Sequence, residues 1–293
     1  THLFGLYLKK TLNIPWVMDI RDAMSVDPNR LSTPGARIQA TLENFYEKKF
    51  YTNADAIISV SDPIISSIRT RHYYPNLESI THTIYNGYDD DDFKGIRQYE
   101  RFDQIFSVTY TGSFMGRRSP EFFLKAVRLL IEQKAIEASD ILIRFVGHFN
   151  NQILAQFNKY ESYFPIEVLG FQPYTEALRY QVNSILLLLI VNVEEDDGGS
   201  QIRTGKFFEY LGANRPIFAL VPMGDLKNLF TRGRFGVTAV QKDLPIIAHT
   251  FKKLYNERKS TGTLKYRPDT ELKKKFTRRH LTGRLVKIIN DIT

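Results

Sequence analysis

The chain has 293 residues, 43% of them hydrophobic and 25% charged, with 40 basic against 32 acidic side chains and a formal net charge of +8. That balance excludes a disordered or fibrous chain, and the length suggests about two domains of ordinary size. Cysteine is absent, which removes a disulfide framework, a thiolate zinc site and a cysteine nucleophile and fits a reducing compartment.

In chain order, Leu3 to Leu12 has the spacing of an amphipathic helix, and Ile14 to Ile20 (IPWVMDI) reads as a short buried strand ending at Arg21-Asp22. Ala36 to Tyr51 is helical in pattern, Asp55 to Val60 (DAIISV) is a strand, and Ser61-Asp62-Pro63 is a helix start: a capping side chain, then proline. Ser79 to Tyr85 reads as another strand, closed by Asn86-Gly87, and the acidic, polar stretch that follows reads as a linker. A more regular series succeeds it. Strands are expected at Phe106 to Thr111, Ile141 to Val146, Ile166 to Leu169, Ile185 to Val191, Pro216 to Leu220 and Gly236 to Val240. Helical patterns lie between them, at Pro120 to Gln133, Ile153 to Lys159, Thr175 to Gln181, Arg203 to Gly212 and Leu226 to Phe230. Such alternation argues for an α/β fold with a doubly wound parallel sheet, whose ligands lie beyond the carboxyl ends of the strands. The first series, with three strands, reads as a domain lacking its N-terminal part. The longest purely apolar run, Ile185 to Val191, is far short of the ~20 residues of a membrane helix.

Charge is uneven. From Lys252 to Lys287 thirteen basic residues face three acidic ones, a segment suited to an anionic membrane or a phosphorylated ligand and equally to a solvated helix surface. It has no aromatic stacking platform or reader motif, which places nucleic acid last. The six histidines show no metal-ligand spacing, so no metal site is expected.

Three segments are candidates for chemistry. In Asp196 to Arg215, a Gly-Gly pair precedes a helix on which Lys206 and Glu209 share a face. A cation for phosphate and a carboxylate for sugar hydroxyls would suit a nucleotide sugar, although spacing alone fits an exposed Lys–Glu pair at least as well. In Tyr110 to Pro120, Gly112 ends a strand and Arg117-Arg118 follow; an arginine fork suits phosphate, and a solvated turn is the plain alternative. In Pro15 to Pro28, Asp19 and Asp22 flank Arg21; one could be a general base toward an acceptor hydroxyl, or the trio a capping Asp beside a salt bridge.

Read together, the phrases IPWVMDIRD, ADAIISVS, TIYNGYDDDDF, VTYTGS, IRFVG and GKFFEYLGANRPIFAL resemble, in order, those of a GT4-type glycosyltransferase with the GT-B fold. The resemblance implies two Rossmann-like doubly wound domains facing a cleft, the first one incomplete here. Residues 1–92, joined by a C-terminal helix at 271–293, would form the acceptor-side remainder. Residues 93–103 would be the linker and 104–270 the donor-binding domain. It implies transfer of a sugar from a nucleotide sugar to a sugar or lipid-linked hydroxyl acceptor, with retention, in polysaccharide or glycolipid assembly. No cofactor or metal is implied, and the location would be cytoplasmic, with the basic last helix suited to peripheral contact with an anionic membrane.

Carried over residue by residue, Gly112, Ser113, Arg117, Arg118 and Lys206 match the donor diphosphate site. Gly199, Ser200, Gln201 and Glu209 match the donor sugar and ribose site, with Gln201 standing where the family's motif has its first Glu. Gly147, His148, Phe171 and Tyr174 fall where the base is held. Asp22, supported by Arg21 and Asp19, is the catalytic candidate. Two other functions share this architecture: a non-hydrolysing nucleotide-sugar epimerase, against which the EYLGANRP phrase argues, and a non-catalytic nucleotide-sugar-binding module.

Overall fold

The computed structural model describes residues 1–21, 35–71, 74–97, 105–114, 118–191 and 205–293. The chain divides into two compact units. Among the described residues, the first comprises those within Thr1–Asn86 and Arg278–Thr293, and the second those within Gly87–Ser200 and Thr204–Thr277.

The first unit begins with α1 (His2–Leu12), β1 (Val17–Ile20), α2 (Ala36–Tyr51), β2 (Ala56–Ser59) and α3 (Asp62–Arg71). The short α4 (Leu77–Ile80) and β3 (Thr81–Thr83) follow. The three strands pair in parallel in the order β1-β2-β3. Alternation along β2 sends Ile57 to one face, against Met18, Phe50 and Ile64, and Ala56 and Ile58 to the other, where Ile288 packs. The expected strand from Ser79 to Tyr85 is shorter than its pattern suggests. Ser79 and Ile80 close a helical turn, with the Ser79 hydroxyl donating to Asn76 O at 2.9 Å and the Thr81 hydroxyl to Leu77 O at 2.7 Å. Local side-chain bonds to the backbone thus outcompete the sheet there.

The second unit holds β4 (Phe106–Thr111), α5 (Glu121–Glu132), β5 (Ile141–Val146), α6 (Asn151–Tyr160), β6 (Ile166–Gly170), α7 (Tyr174–Val182) and β7 (Leu186–Ile190). It continues with α8 (Gly205–Ala213), β8 (Ile217–Leu220), α9 (Asp225–Gly233), β9 (Gly236–Ala239), α10 (Leu244–Thr261) and α11 (Thr270–Lys274); α12 (Arg278–Ile292) returns to the first unit. All six strands are parallel, ordered β6-β5-β4-β7-β8-β9. Helices cover both faces of such a sheet, so its central strands are buried throughout: every residue of β4, FSVTYT, and of β7, LLLLI, is buried. A cluster of interlocking rings holds α5 and α10 to the sheet, Phe251 meeting Phe106, Phe123 and Phe218 with centroids 5.4–6.4 Å apart.

The basic segment from Glu271 to Ile289, expected as one helix, is two. Asp269 caps α11 by accepting Leu272 N–H at 2.9 Å. The chain then leaves helical geometry so that Phe276 O accepts the Tyr88 N–H at 3.1 Å and Thr277 pairs beside Tyr88. Phe276 is buried under this bridge. The residues leading into the second unit, read as a linker, include a 3-10 turn at Asp91–Phe93, and Asp92 accepts the Tyr174 hydroxyl at 2.9 Å.

Candidate functional site

In a sheet of this order the chain reverses its direction of winding between β4 and β7, and a crevice opens beyond their carboxyl ends. The register shows how. β4 and β7 pair at Val108–Leu186 and Thr109–Leu187, so the last residues of β4 need another partner. The Thr111 N–H donates instead to the Tyr210 hydroxyl at 2.8 Å, which satisfies a buried backbone donor and ties α8 to the end of β4.

That tie brings Lys206, one turn before Tyr210, into the corner where β4 ends. Its ammonium donates to the Tyr110 hydroxyl and, at 3.1 Å, to Ser113 O, and it sits 4.2 Å from the centre of the Tyr110 ring. The Tyr110 hydroxyl in turn donates to Ser113 O at 3.0 Å, and Phe114 stacks on the ring at 4.2 Å. Gly112 makes the corner passable. Its φ is +104°, and a Cβ there would lie 2.3 Å from Lys206 Cε. Gly147, at φ +151°, is equally constrained, because its Cβ would lie 2.5 Å from Gly112 O.

Burial disfavours the charged form of Lys206 most, the positive charge of Arg118 adds to it, and Glu209 opposes; together they pull the ammonium down to about 7. Burial raises the Tyr110 phenol above the ordinary tyrosine range, so at neutral pH Lys206 faces a neutral hydroxyl. Glu209, three residues along the same helix, accepts from the amide of Gln181, whose nitrogen also donates to Thr111 Oγ1 at 3.0 Å. The corner therefore presents a partly deprotonated amine, a second cation in Arg118 and an anchored carboxylate. An anion arriving there would be met by both cations, and it would favour the charged form of the lysine.

The structure gathers Gly112, Ser113, Arg118, Lys206 and Glu209, with Gly147 alongside. Arg117, Gly199, Ser200, Gln201 and Asp22 lie outside the described residues. His148, Phe171 and Tyr174 are exposed along the same edge of the sheet, Phe171 at 77%, where a ring could cover a flat ligand. Asp19 and Arg21 form an exposed ion pair at 3.2 Å in the first unit, a class of contact worth about 1 kcal/mol at most. Among the described residues no three His, Asp or Glu side chains come together as metal ligands would, and no helix is long and apolar enough to cross a membrane. Tyr110, Gln181 and Tyr210 were not singled out from the sequence. Gln181 carries the one available signal, a polar residue on the otherwise apolar face of α7 with Leu178 and Val182.

No protein-family profile matches the sequence, and no curated protein matches it. Solved structures do. HepE from Anabaena, crystallised with UDP and glucose, is similar over 99% of this chain and 75% of its own, with a TM-score of 0.70 and 13% identity. WaaG, a glycosyltransferase involved in lipopolysaccharide biosynthesis, is similar over 96% of this chain and 76% of its own, with a TM-score of 0.63 and 13% identity. A glycosyltransferase from Rickettsia africae is similar over 99% and 80%, with a TM-score of 0.60 and 12% identity. These likenesses and the two parallel-sheet units identify the fold as GT-B, built of two Rossmann-like domains.

Proposed function

We propose that the chain is a glycosyltransferase of the GT4 type that takes a sugar from a nucleotide donor, with retention, and passes it to a hydroxyl of a sugar or lipid-linked acceptor. The observation that carries this reading is the seat of Lys206 against Gly112 at the switch point of the sheet, with Arg118 beside it and Glu209 one turn on. Lys206 and Arg118 would hold the donor diphosphate and stabilise it as it leaves, in the role that fixed cations play wherever charge develops on phosphate. Arg117 would join them. Glu209 would accept from ribose hydroxyls, Gly199, Ser200 and Gln201 would meet the donor sugar, and Gly147, His148, Phe171 and Tyr174 would border the base. In this reading no metal takes part, Asp22 with Arg21 and Asp19 serves the acceptor side, and assembly of cell-surface polysaccharide or glycolipid at the cytoplasmic face of a membrane is the process served. Structural similarity to HepE, which binds UDP and glucose, supports a nucleotide-sugar donor.

The test is calorimetric titration of UDP, GDP and ADP and their sugar conjugates. One nucleotide should bind saturably, and Lys206→Ala and Glu209→Ala should each weaken it roughly tenfold or more, the worth of a charge-assisted hydrogen bond. A folded protein that binds none of them sinks the reading.

A further inference from the structure

An open cavity of about 830 Å³ lies at the other end of the six-stranded sheet from Lys206. Leu186, Ile217 and Gly236, the first residues of β7, β8 and β9, contribute to its floor, so it opens at the amino-terminal edge, about 15 Å along the strands from their carboxyl ends. One wall is α10. The other is the segment between α10 and α11, held at both ends: the Lys265 N–H donates to Glu257 at 2.8 Å, and the Asp269 N–H to Gly233 O at 2.8 Å. The concavity is therefore a built feature of the unit, with a size typical of pockets for small organic ligands, about 300–1,000 Å³.

Its charge is one-sided. Arg234, Lys253, Lys265 and Arg267 line it, whereas Glu257 is the only acid among the lining residues. None of those four side chains makes an ion pair or hydrogen bond among the described residues, while cations elsewhere on the unit do: Arg128 with Glu132, Lys159 with Glu121, Lys259 with Asp140. Like charges gathered round a concave, low-dielectric floor focus the field inward and attract anions. The floor itself is apolar, with Phe230, Leu254 and Leu264 beside the strand ends.

We propose that this cavity is a second binding site, separate from the corner at Gly112, for a small organic phosphate. The phosphate or diphosphate group is held by the four cations, and the organic body lies on the apolar floor. Arg234 and Arg267 supply planar forks that suit phosphate oxygens. Four cations against one carboxylate leave an excess that a phosphate monoester, at about −2, or a diphosphate would meet.

The experiment uses inorganic pyrophosphate as probe and the Lys206→Ala protein as background, so that neither success nor failure at the nucleotide corner decides the result. Calorimetry should show one saturable event, weakened about tenfold or more when Arg234→Ser and Arg267→Ser are added. The charge-matched pair Lys125→Ser and Lys159→Ser, both exposed and neither among the residues that line the cavity, should change it less than about twofold. If the arginine pair unfolds the chain, Lys253→Ser with Lys265→Ser replaces it. Vesicles of phosphatidylglycerol and phosphatidylcholine distinguish the source: displacement of pyrophosphate by them assigns the site to a lipid headgroup, and indifference to them assigns it to a soluble ester. Absence of saturable binding in the Lys206→Ala protein, or equal losses in the cavity and control pairs, overturns the proposal.

Discussion

Raising the pH from 6 to 8 should weaken the binding of a nucleotide sugar about tenfold, through one side chain. Lys206, pulled down to about 7 by burial and by Arg118 against the opposing pull of Glu209, is about nine-tenths charged at pH 6 and about one-tenth charged at pH 8. If only the ammonium form receives the diphosphate, the affinity follows that fraction, a change of roughly 1.4 kcal/mol. The complex must also take up a proton from solution, about half a proton per site at pH 7 and about nine-tenths at pH 8. UDP-glucose is the suitable probe, because its doubly esterified diphosphate has no proton to lose in this range. Titration calorimetry in Tris and in HEPES, whose ionisation enthalpies differ and neither of which is a phosphate, reads the proton uptake directly. Lys206→Ala should bind more weakly and without pH dependence. Tight binding that is flat from pH 6 to 8, with no proton uptake, would refute the assignment of Lys206 to the phosphate.

The two glycines of the corner should separate stability from binding. Gly112→Ala places a Cβ against the movable end of Lys206 at a φ of +104°. It should cost about 1–3 kcal/mol in chemical denaturation and weaken nucleotide binding beyond that loss. Gly147→Ala drives its Cβ to 2.5 Å from the fixed carbonyl of Gly112, so its denaturation midpoint should fall further than that of Gly112→Ala; the reverse order would contradict the geometry. Phe251→Ala, at the centre of the ring cluster and fully buried, should lose about 3–5 kcal/mol while leaving the pH dependence of binding unchanged.

The strands of the second unit were readable to within a residue or so, for a physical reason. A parallel strand covered on both faces is mostly apolar, and FSVTYT and ILIRFV end where the burial ends while LLLLI runs on only into the buried Val191. The first unit was harder to read because its strands have three or four residues, too short for a pattern to outweigh local hydrogen bonds such as those of Ser79 and Thr81. The break between α11 and α12 was invisible for a different reason: the pairing of Thr277 with Tyr88 spans most of the chain, and nothing local to Lys275 announces it. At the site, the spacing of Lys206 and Glu209 was legible as a shared helix face. Their surroundings were not, since Tyr110 looks in sequence like any other core aromatic, and only the fold shows its hydroxyl turned to a lysine.

The bridge between Tyr88 and Thr277 also bears on how the chain can be rearranged. Backbones paired in parallel lie about 5 Å apart, so the second unit begins and ends at nearly the same point in space. Such a unit behaves as an insertion whose ends are already joined by hydrogen bonding, and a linker of a few residues would close it into a ring at small entropic cost. Circular permutation, with new termini cut at an exposed turn such as that between α6 and β6, would then leave the six-stranded sheet and the corner at Gly112 in the same contacts.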